Sequence, residues 1–146
     1  AQRRFQVIGS ANGAIVVDDY AHHPTEVAAT IKAAREGWPE RRIIAVFQPH
    51  RYSRTALLFD DFSRSFQEAD IVIVTDIYAP PPEQAIPGVS SSVLAERIRD
   101  HRGPKKVYHI PQQEDVAPFL QGWLGTGDLV LVMGAGPIWR VARDLV

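Results

Sequence analysis

The chain alternates between short apolar runs and amphipathic segments, and this alternation constrains its fold more than any other feature. Four runs have the length and character of buried strands: "RIIAVFQ" (42–48), "DIVIVTD" (70–76), "KVYHI" (106–110) and "DLVLVMG" (128–134). Apolar strands that alternate with amphipathic helices are typical of parallel sheets covered on both faces. The sequence therefore predicts an α/β fold with a mostly parallel sheet flanked by helices.

The segments between these runs carry apolar residues at helical spacing. The first predicted helix opens at Pro24, because proline is favoured at the first helical position, and "GWP" (37–39) ends it. Further helices are predicted around 59–66, over 91–100, around 116–123 and around 138–145. The proline-rich stretch "APPPEQAIPG" (79–88) is predicted to be a loop.

Two apolar runs precede the first helix. They are "RRFQVIG" (3–9) and "AIVVDD" (14–19), and "SANG" (10–13) separates them. The pair Asn12 and Gly13 is a strong signal for a tight turn between antiparallel strands. We therefore expect an N-terminal β-hairpin ahead of the alternating region.

Length and composition exclude several classes of protein. A chain of 146 residues suits one domain, spanning 1–146, and its net charge of −1 implies no bulk attraction to nucleic acid or anionic lipid. No apolar run reaches the roughly 20 residues of a membrane span, and the first residues lack the apolar stretch of a signal peptide. The absence of cysteine fits a reducing compartment, so we expect a cytoplasmic protein. The first residue is not methionine, which suggests a domain from a longer chain.

Polar segments follow the strand ends. They are "DYAHH" (19–23), "QPHRYSR" (48–54), "DIYAP" (76–80) and "GAG" (134–136). In an open parallel sheet the carboxyl ends of the strands share one edge, where ligands bind. The sequence therefore predicts a small-molecule site that gathers histidines and arginines at this edge.

The arginine pair in the second segment points to an anion. Arg51 and Arg54 are three residues apart, so at a helix start both could grip one carboxylate or phosphate. A solvated helix start is the alternative. Positive charge is unfavourable at a helix N-terminus, and placing two arginines there favours an anionic partner.

The first polar segment leaves several roles open. Asp19 could bind ribose hydroxyls or cap the following helix. His22, His50 and Asp19 could converge on a metal ion, although loop or capping roles suit one histidine of the adjacent pair better. The "GAG" segment is a weak anion signal, and no P-loop occurs, so the main phosphate cradle of any ATP site is not in this chain.

Long motifs carry a resemblance to a known family. "DDYAHHPTE" (18–26), "FQPHRYSRT" (47–55), "DIYAP…E…IPG" (76–88) and "GDLVLVMGAGPIWR" (127–140) resemble the C-terminal domain of the Mur ligases of peptidoglycan synthesis. The resemblance implies a Rossmann-like domain that closes over a central ATPase domain, preceded by a UDP-sugar-binding domain. The motifs fit best the member that uses ATP to join L-alanine to UDP-N-acetylmuramate through an acyl phosphate.

The resemblance also implies roles for single residues. Asp19 and Tyr20 would meet ATP, and His22 would approach the reacting phosphate as the catalytic residue. His50, Arg51 and Arg54 would bind the carboxylate of L-alanine. His23 would start the first helix. Mg²⁺ is expected in the complete enzyme with its ligands mostly in the central domain, so no metal ligand is assigned here.

Two other interpretations stay open. A murein tripeptide ligase shares the histidine pair but usually lacks the "HRYSR" arrangement of residues 50–54. A nucleotide-binding module without chemistry of its own is the alternative from another class. Without the N-terminal and central domains, the chain by itself is expected to be inactive.

Overall fold

The computed structural model describes residues 3–146 and has one six-stranded sheet at its centre. The strands are β1 (Gln6–Ala11), β2 (Ala14–Asp19), β3 (Arg42–Phe47), β4 (Ile71–Val74), β5 (Lys106–His109) and β6 (Asp128–Met133). Their order across the sheet is β1-β2-β6-β3-β4-β5. The β1–β2 pair is antiparallel and every other pair is parallel, as predicted.

Helices cover both faces of this sheet. They are α1 (Pro24–Gly37), α2 (Tyr52–Leu57), α3 (Phe59–Ser63), α4 (Ser91–Arg99), α5 (Val116–Gln121) and α6 (Trp139–Leu145), and a 3-10 turn (Gln113–Asp115) precedes α5. The helices α1, α3 and α4 pack in one apolar cluster, while α5 and α6 pack in a second cluster on the other face. The predicted α/β architecture with helices on both faces is confirmed.

The alternation of side chains along each strand separates the two clusters. In β6, Leu129 and Leu131 face the first cluster, whereas Val130 and Val132 face the second. All four are fully buried. A strand that is apolar at every position is what a sheet covered on both faces requires.

The N-terminal hairpin has the turn that its sequence predicts. Asn12 and Gly13 have φ angles of 52° and 86°, which are the left-handed values of a type I′ turn. A Cβ at Gly13 would approach the Thr126 methyl group to 2.4 Å, so glycine is required there for space as well as conformation.

The helix predicted around 59–66 is shorter than its apolar spacing suggests. Leu58 has φ −110° and ψ 21° and separates α2 from α3, and α3 ends at Ser63. After Ser63 the chain continues as turns, yet Phe66 is still buried against Phe47. No helix within residues 3–146 has the length and apolar character needed to cross a membrane.

Replacement of Phe62 should test the first apolar cluster. Its ring is fully buried and lies 5.4 Å from the ring of Phe47, so Phe62→Ala leaves a cavity and should lower the free energy of unfolding by about 3–5 kcal/mol. Urea denaturation measures this loss. The control is Leu57→Ala, because Leu57 is 82% exposed and should change stability by less than about 0.5 kcal/mol. Equal effects of both changes would contradict this packing.

Candidate functional site

The polar segments that follow the strands meet at the carboxyl edge of the sheet, as predicted. Tyr78, after β4, donates its backbone N–H to Pro49 and accepts from the Arg51 N–H, at 2.9 and 2.8 Å. Gly134, after β6, donates its N–H to the carbonyl of Asp19 at 3.3 Å. The loops that follow β2, β3, β4 and β6 therefore form one connected surface.

Arg51 has an unusual backbone at the start of α2. It occupies the N-cap with φ 72°, in the left-handed region, and its side chain makes no capping hydrogen bond. Its carbonyl accepts from the Thr55 hydroxyl at 2.7 Å and so belongs to the first helical turn. Such a conformation costs an arginine about 1–3 kcal/mol and is found most often at functional sites.

Arg54 lies one turn later and approaches His50. The Arg54 Nη1 is 3.5 Å from the His50 Nδ1. Neither Arg51 nor Arg54 takes part in a salt bridge with any carboxylate of residues 3–146. The two guanidinium groups and the His50 imidazole therefore form a cluster of donors that is open to an anion.

Burial and charge together keep His50 neutral. Partial burial lowers the pKa of His50 below its ordinary value, and the positive charges of Arg54 and Arg51 lower it further. The pKa of His50 in the folded state is therefore below that in the unfolded chain. Its contribution to stability is present above about pH 6.5 and is lost as the pH falls through the folded pKa.

Tyr78 forms the wall behind this cluster. Its ring stacks on His50 with centroids 5.8 Å apart and an interplanar angle of 26°. On its other side it lies against Gly136, where an added Cβ would come within 3.0 Å of the Tyr78 ring and 2.7 Å of the Gln48 Oε1. Only glycine allows this close packing of the two loops.

A groove of about 570 Å³ runs beside the donor cluster. Its walls include His50, Tyr78 and Gly136 from the loops, and Arg3 and Asp18 from the far side. Arg3 and Asp18 form a salt bridge of 2.7 Å, so their charges cancel locally. The groove has the size of a small-molecule site.

The two adjacent histidines have different surroundings. His23 is the N-cap of α1 and its Nδ1 accepts from the Thr25 N–H at 3.4 Å, which confirms its predicted place at the helix start. The His22 Nδ1 lies 3.0 Å from the Tyr20 carbonyl oxygen and 3.6 Å from the Glu26 Oε1. His22 therefore stands on the surface of the edge, in the loop rather than in the helix.

Glu26 completes the start of α1. Burial acts to raise its pKa, but hydrogen bonds from the His22 and His23 backbone amides, at 3.3 and 3.1 Å, act in the opposite direction. The positive charges of both imidazoles, when protonated, add to the lowering, and the net result is a lowered pKa. Glu26 therefore remains ionised and fixes the loop that carries His22.

Asp19 is engaged by the backbone of its own domain. One carboxylate oxygen accepts from the Phe5 N–H and the other from the Ala21 N–H, both at 2.7 Å, and the residue is only 8% exposed. The alternative that Asp19 caps the next helix is wrong, because His23 occupies the N-cap. Its ribose contact stays a prediction, and its observed contacts hold the loop after β2.

Tyr20 is the exposed neighbour of Asp19. Its side chain is 46% exposed, and the Arg3 guanidinium lies 5.5 Å from the centre of its ring. The ring of His22 contacts it edge-on with centroids 5.0 Å apart. Tyr20 therefore offers an aromatic face beside His22, on the side of the edge nearest α1.

The possible metal site is not formed. Within residues 3–146, no three side chains of the His, Cys, Asp or Glu type are grouped closely enough to hold an ion. Asp19 is committed to backbone amides, while His50 faces Arg54. The suggested convergence of His22, His50 and Asp19 on one metal is therefore not supported.

A larger cavity of about 740 Å³ lies at the amino edge of the sheet and is not the candidate site. Arg35 pairs there with Asp70 and Arg42 with Asp128, each at 2.7 Å, and the Arg41 guanidinium donates to the backbone carbonyls of Gly13 and Asp128. The charges there stabilise the strand starts. We place the functional site at the carboxyl edge, where neither Arg51 nor Arg54 forms a salt bridge with a carboxylate of residues 3–146.

Comparison with known proteins gives the family. The family model described as "Mur ligase, glutamate ligase domain" matches residues 3–136. The chain belongs to the Mur ligase family. The UDP-N-acetylmuramate–L-alanine ligase of Trichlorobacter lovleyi is 52% identical to it over 144 residues, which cover 99% of this chain and 31% of that relative. This Mur ligase domain therefore spans about a third of the length of the relatives it matches.

Two solved structures resemble the Mur ligase domain. The UDP-N-acetylmuramate–alanine ligase of Thermotoga maritima superimposes with a TM-score of 0.75 and 23% identity, covering 98% of this chain and 29% of that one. A Haemophilus ducreyi domain assigned to a UDP-N-acetylmuramate:L-alanyl-gamma-D-glutamyl-medo-diaminopimelate ligase has a TM-score of 0.70 and 25% identity. It covers 97% of this chain, which itself covers 96% of it, so a domain with these limits has crystallised alone.

The structure adds residues that the sequence did not single out. Gln48 is 6% exposed and donates to the Gln113 Oε1 at 3.2 Å, while Gln113 donates to the Pro137 carbonyl at 3.3 Å. Glu83 accepts two hydrogen bonds from Ser53. These contacts join loops that are far apart in sequence, and only the position of Gln48 directly after β3 is a local signal.

Removing the charge of Arg54 should raise the pKa of His50. Arg54→Met keeps most of the side-chain volume but deletes the positive charge that opposes protonation, so the imidazole should titrate at higher pH. NMR titration of the His50 ring signals in the 146-residue chain measures this. Arg102→Met, at an exposed position, is the control and should leave the titration unchanged. A lower pKa in Arg54→Met would refute the electrostatic description.

Proposed function

We propose that this domain binds the amino acid in an ATP-dependent ligase that joins L-alanine to UDP-N-acetylmuramate for peptidoglycan synthesis. The observation that carries the proposal is the cluster of His50, Arg51 and Arg54, in which neither arginine forms a salt bridge with a carboxylate of residues 3–146. The name of the relative with 52% identity supports the substrate pair. The reaction is expected to take place in the cytoplasm.

The chemistry needs the amine of alanine to be held in place. In the proposed reaction, ATP transfers its γ-phosphoryl group to the muramate carboxylate, which gives an acyl phosphate and ADP. The alanine nitrogen attacks the acyl carbon, and the tetrahedral intermediate releases inorganic phosphate as the amide forms. Holding the alanine carboxylate on two guanidinium groups fixes the direction of its amine, so binding energy is used for orientation.

A neutral His50 suits this role. Arg51 and Arg54 supply the charge that matches one carboxylate, and a third full positive charge would repel them in the free site. With its Nδ1 facing Arg54, the imidazole helps to orient that guanidinium.

The loop that follows β2 is proposed to provide the surface that meets the nucleotide. Tyr20 offers an exposed ring and His22 a ring nitrogen beside it, so these two residues are proposed to meet ATP and the reacting phosphate. Asp19 holds that loop in place through the Ala21 N–H, and a contact with the ribose would use its remaining lone pairs. ATP and a divalent metal are proposed for the full-length enzyme, and the described residues contain no group of three His, Cys, Asp or Glu side chains that could hold an ion by itself.

A murein tripeptide ligase is the nearest alternative within the family. The two solved structures do not separate the alternatives, since the alanine ligase of Thermotoga maritima is 23% identical and the Haemophilus ducreyi domain 25% identical, but the relative with 52% identity is named as the L-alanine ligase. The arrangement "HRYSR" (50–54) also favours the alanine-adding reaction. A nucleotide-binding module without chemistry would leave the unpaired arginines unexplained.

The arginine pair tests the proposal in the full-length protein. Phosphate release should require both UDP-N-acetylmuramate and L-alanine. Arg51→Ala and Arg54→Ala should each raise the KM for alanine by about tenfold or more, because a charge-assisted hydrogen bond is worth roughly 1.5–3 kcal/mol. The KM for ATP should change by less than about twofold, as should both constants in the control Arg102→Ala. An unchanged KM for alanine in both arginine variants would refute the carboxylate assignment.

The adjacent histidines provide a matched pair of variants. His22→Ala should lower kcat with little change in stability, since its side chain makes only local contacts in the loop. His23→Ala should lower the free energy of unfolding by about 1 kcal/mol through loss of the N-cap, while kcat falls less. Steady-state kinetics of the full-length protein and urea denaturation measure the two effects. The opposite assignment of effects would show that His23, not His22, serves the chemistry.

A further inference from the structure

The start of α2 lacks the residue that would normally cap it. An N-cap is usually Ser, Thr, Asp or Asn, whose side chain accepts an N–H from the second or third helical residue. In α2 this position is held by Arg51, which has no acceptor to offer and makes no capping bond. The helix that carries both arginines therefore begins with exposed N–H donors and with positive charge, and both are unfavourable.

A residue from another loop supplies the missing acceptor. The Glu83 Oε1 accepts the backbone N–H of Ser53, the second residue of α2, at 3.0 Å. Its Oε2 accepts the Ser53 hydroxyl at 2.8 Å. The carboxylate thus makes the bond of an N-cap from a position 30 residues further along the chain.

The charge of Glu83 fits this place. The hydrogen bond from the Ser53 hydroxyl is the main cause that lowers the pKa of Glu83, and backbone N–H groups of α2 and the charge of Arg51 act in the same direction. The carboxylate is therefore ionised. A negative charge at a helix N-terminus is favourable, and here it also offsets the guanidinium group of Arg51.

The loop that carries Glu83 is itself attached to the site. The Arg51 N–H donates to the Tyr78 carbonyl at 2.8 Å, and the Glu83 N–H donates to the Pro80 carbonyl at 3.3 Å. The short chain between Tyr78 and Glu83 therefore contacts the start of α2 at both of its ends. The backbone of Arg51 is held by Tyr78, and the first helical turn is held by Glu83.

We propose that Glu83 is a positioning residue for the amino-acid carboxylate site, because it caps α2 from the loop after β4 and so fixes Arg51 and Arg54. This inference rests on the proposed function and adds a residue to it. With Arg51 at the N-cap of α2, its guanidinium group is available to the amino-acid carboxylate, but the helix has no capping side chain at that position. Glu83 restores the cap without occupying the position.

Amide exchange in the 146-residue chain tests the capping itself, and the Haemophilus ducreyi domain of similar limits shows that such a domain can be studied alone. Glu83→Ala should speed exchange of the Ser53 amide by about fivefold, the effect of losing a typical cap. The control is Gln84→Ala, at the exposed next residue of the same loop. Unchanged exchange of the Ser53 amide in Glu83→Ala would overturn the inference.

Kinetics of the full-length protein test the positioning role. Glu83→Ala should raise the KM for L-alanine by about fivefold or more, with the KM for ATP changed by less than about twofold. Glu83→Gln keeps an acceptor for the Ser53 N–H and should recover part of the affinity for alanine. Ser53→Thr keeps the hydroxyl and should behave like the unmodified protein, whereas Ser53→Ala should be intermediate.

The outcomes separate this inference from the function on which it rests. If the unmodified protein uses alanine and Arg54→Ala weakens alanine binding, but Glu83→Ala leaves the KM for alanine unchanged, the positioning role is wrong and the function stands. If the unmodified protein releases no phosphate in response to alanine, the proposed function is wrong and the positioning role falls with it. Faster Ser53 exchange together with a selective rise in the KM for alanine supports both.

Discussion

Strand β6 pairs in parallel with both β2 and β3, and the rest of the structure depends on its complete burial. With helices over both faces, an unpaired polar side chain in the middle of this strand would be costly. Polar and charged groups are therefore confined to the two ends of the strands. The fold thus decides where chemistry can occur before any particular site residue is considered.

The two edges of the sheet use charge in different ways. At the amino edge, Arg42 reaches back to Asp128 through two hydrogen bonds of 2.7 and 3.1 Å. At the carboxyl edge, Arg51 and Arg54 have no such partner among the described residues, and Arg51 also bears backbone strain. At the carboxyl edge the charge of Glu83 offsets part of that of Arg51 without forming a salt bridge, so the two guanidinium groups keep donors for a ligand. This contrast is the main physical reason for placing the function at the carboxyl edge.

Local chemistry made much of the fold predictable. The hairpin at Asn12 and Gly13, the start of α1 at Pro24 and the apolar strands all appear within a few residues of their predicted positions. Periodicity and turn preferences act over short distances, so a single sequence reveals them. The early end of α3 at Ser63 was missed because Phe66 continues the apolar spacing and is buried, although the chain there runs in turns.

The site was predictable in its position but not in its connections. Parallel topology brings His50 and the arginines to one edge, and the structure confirms this gathering. The bonds from Phe5 to Asp19 and from Ser53 to Glu83 link residues far apart in the chain, and no local pattern encodes them. Asp19 is an example: the sequence did not reveal that its carboxylate accepts hydrogen bonds from two backbone amides.

The packing of Tyr78 between His50 and Gly136 bears on how far the proposed amino-acid site is ordered before a ligand binds. Because three loops contact one ring, the backbone positions that carry the donors are fixed relative to one another. A small amino acid would meet them already assembled, and little ordering entropy would be lost on capture. If the proposed function holds, the orientation of the amino acid would be set by the sheet that carries these loops and would not change when the domain moves as one body.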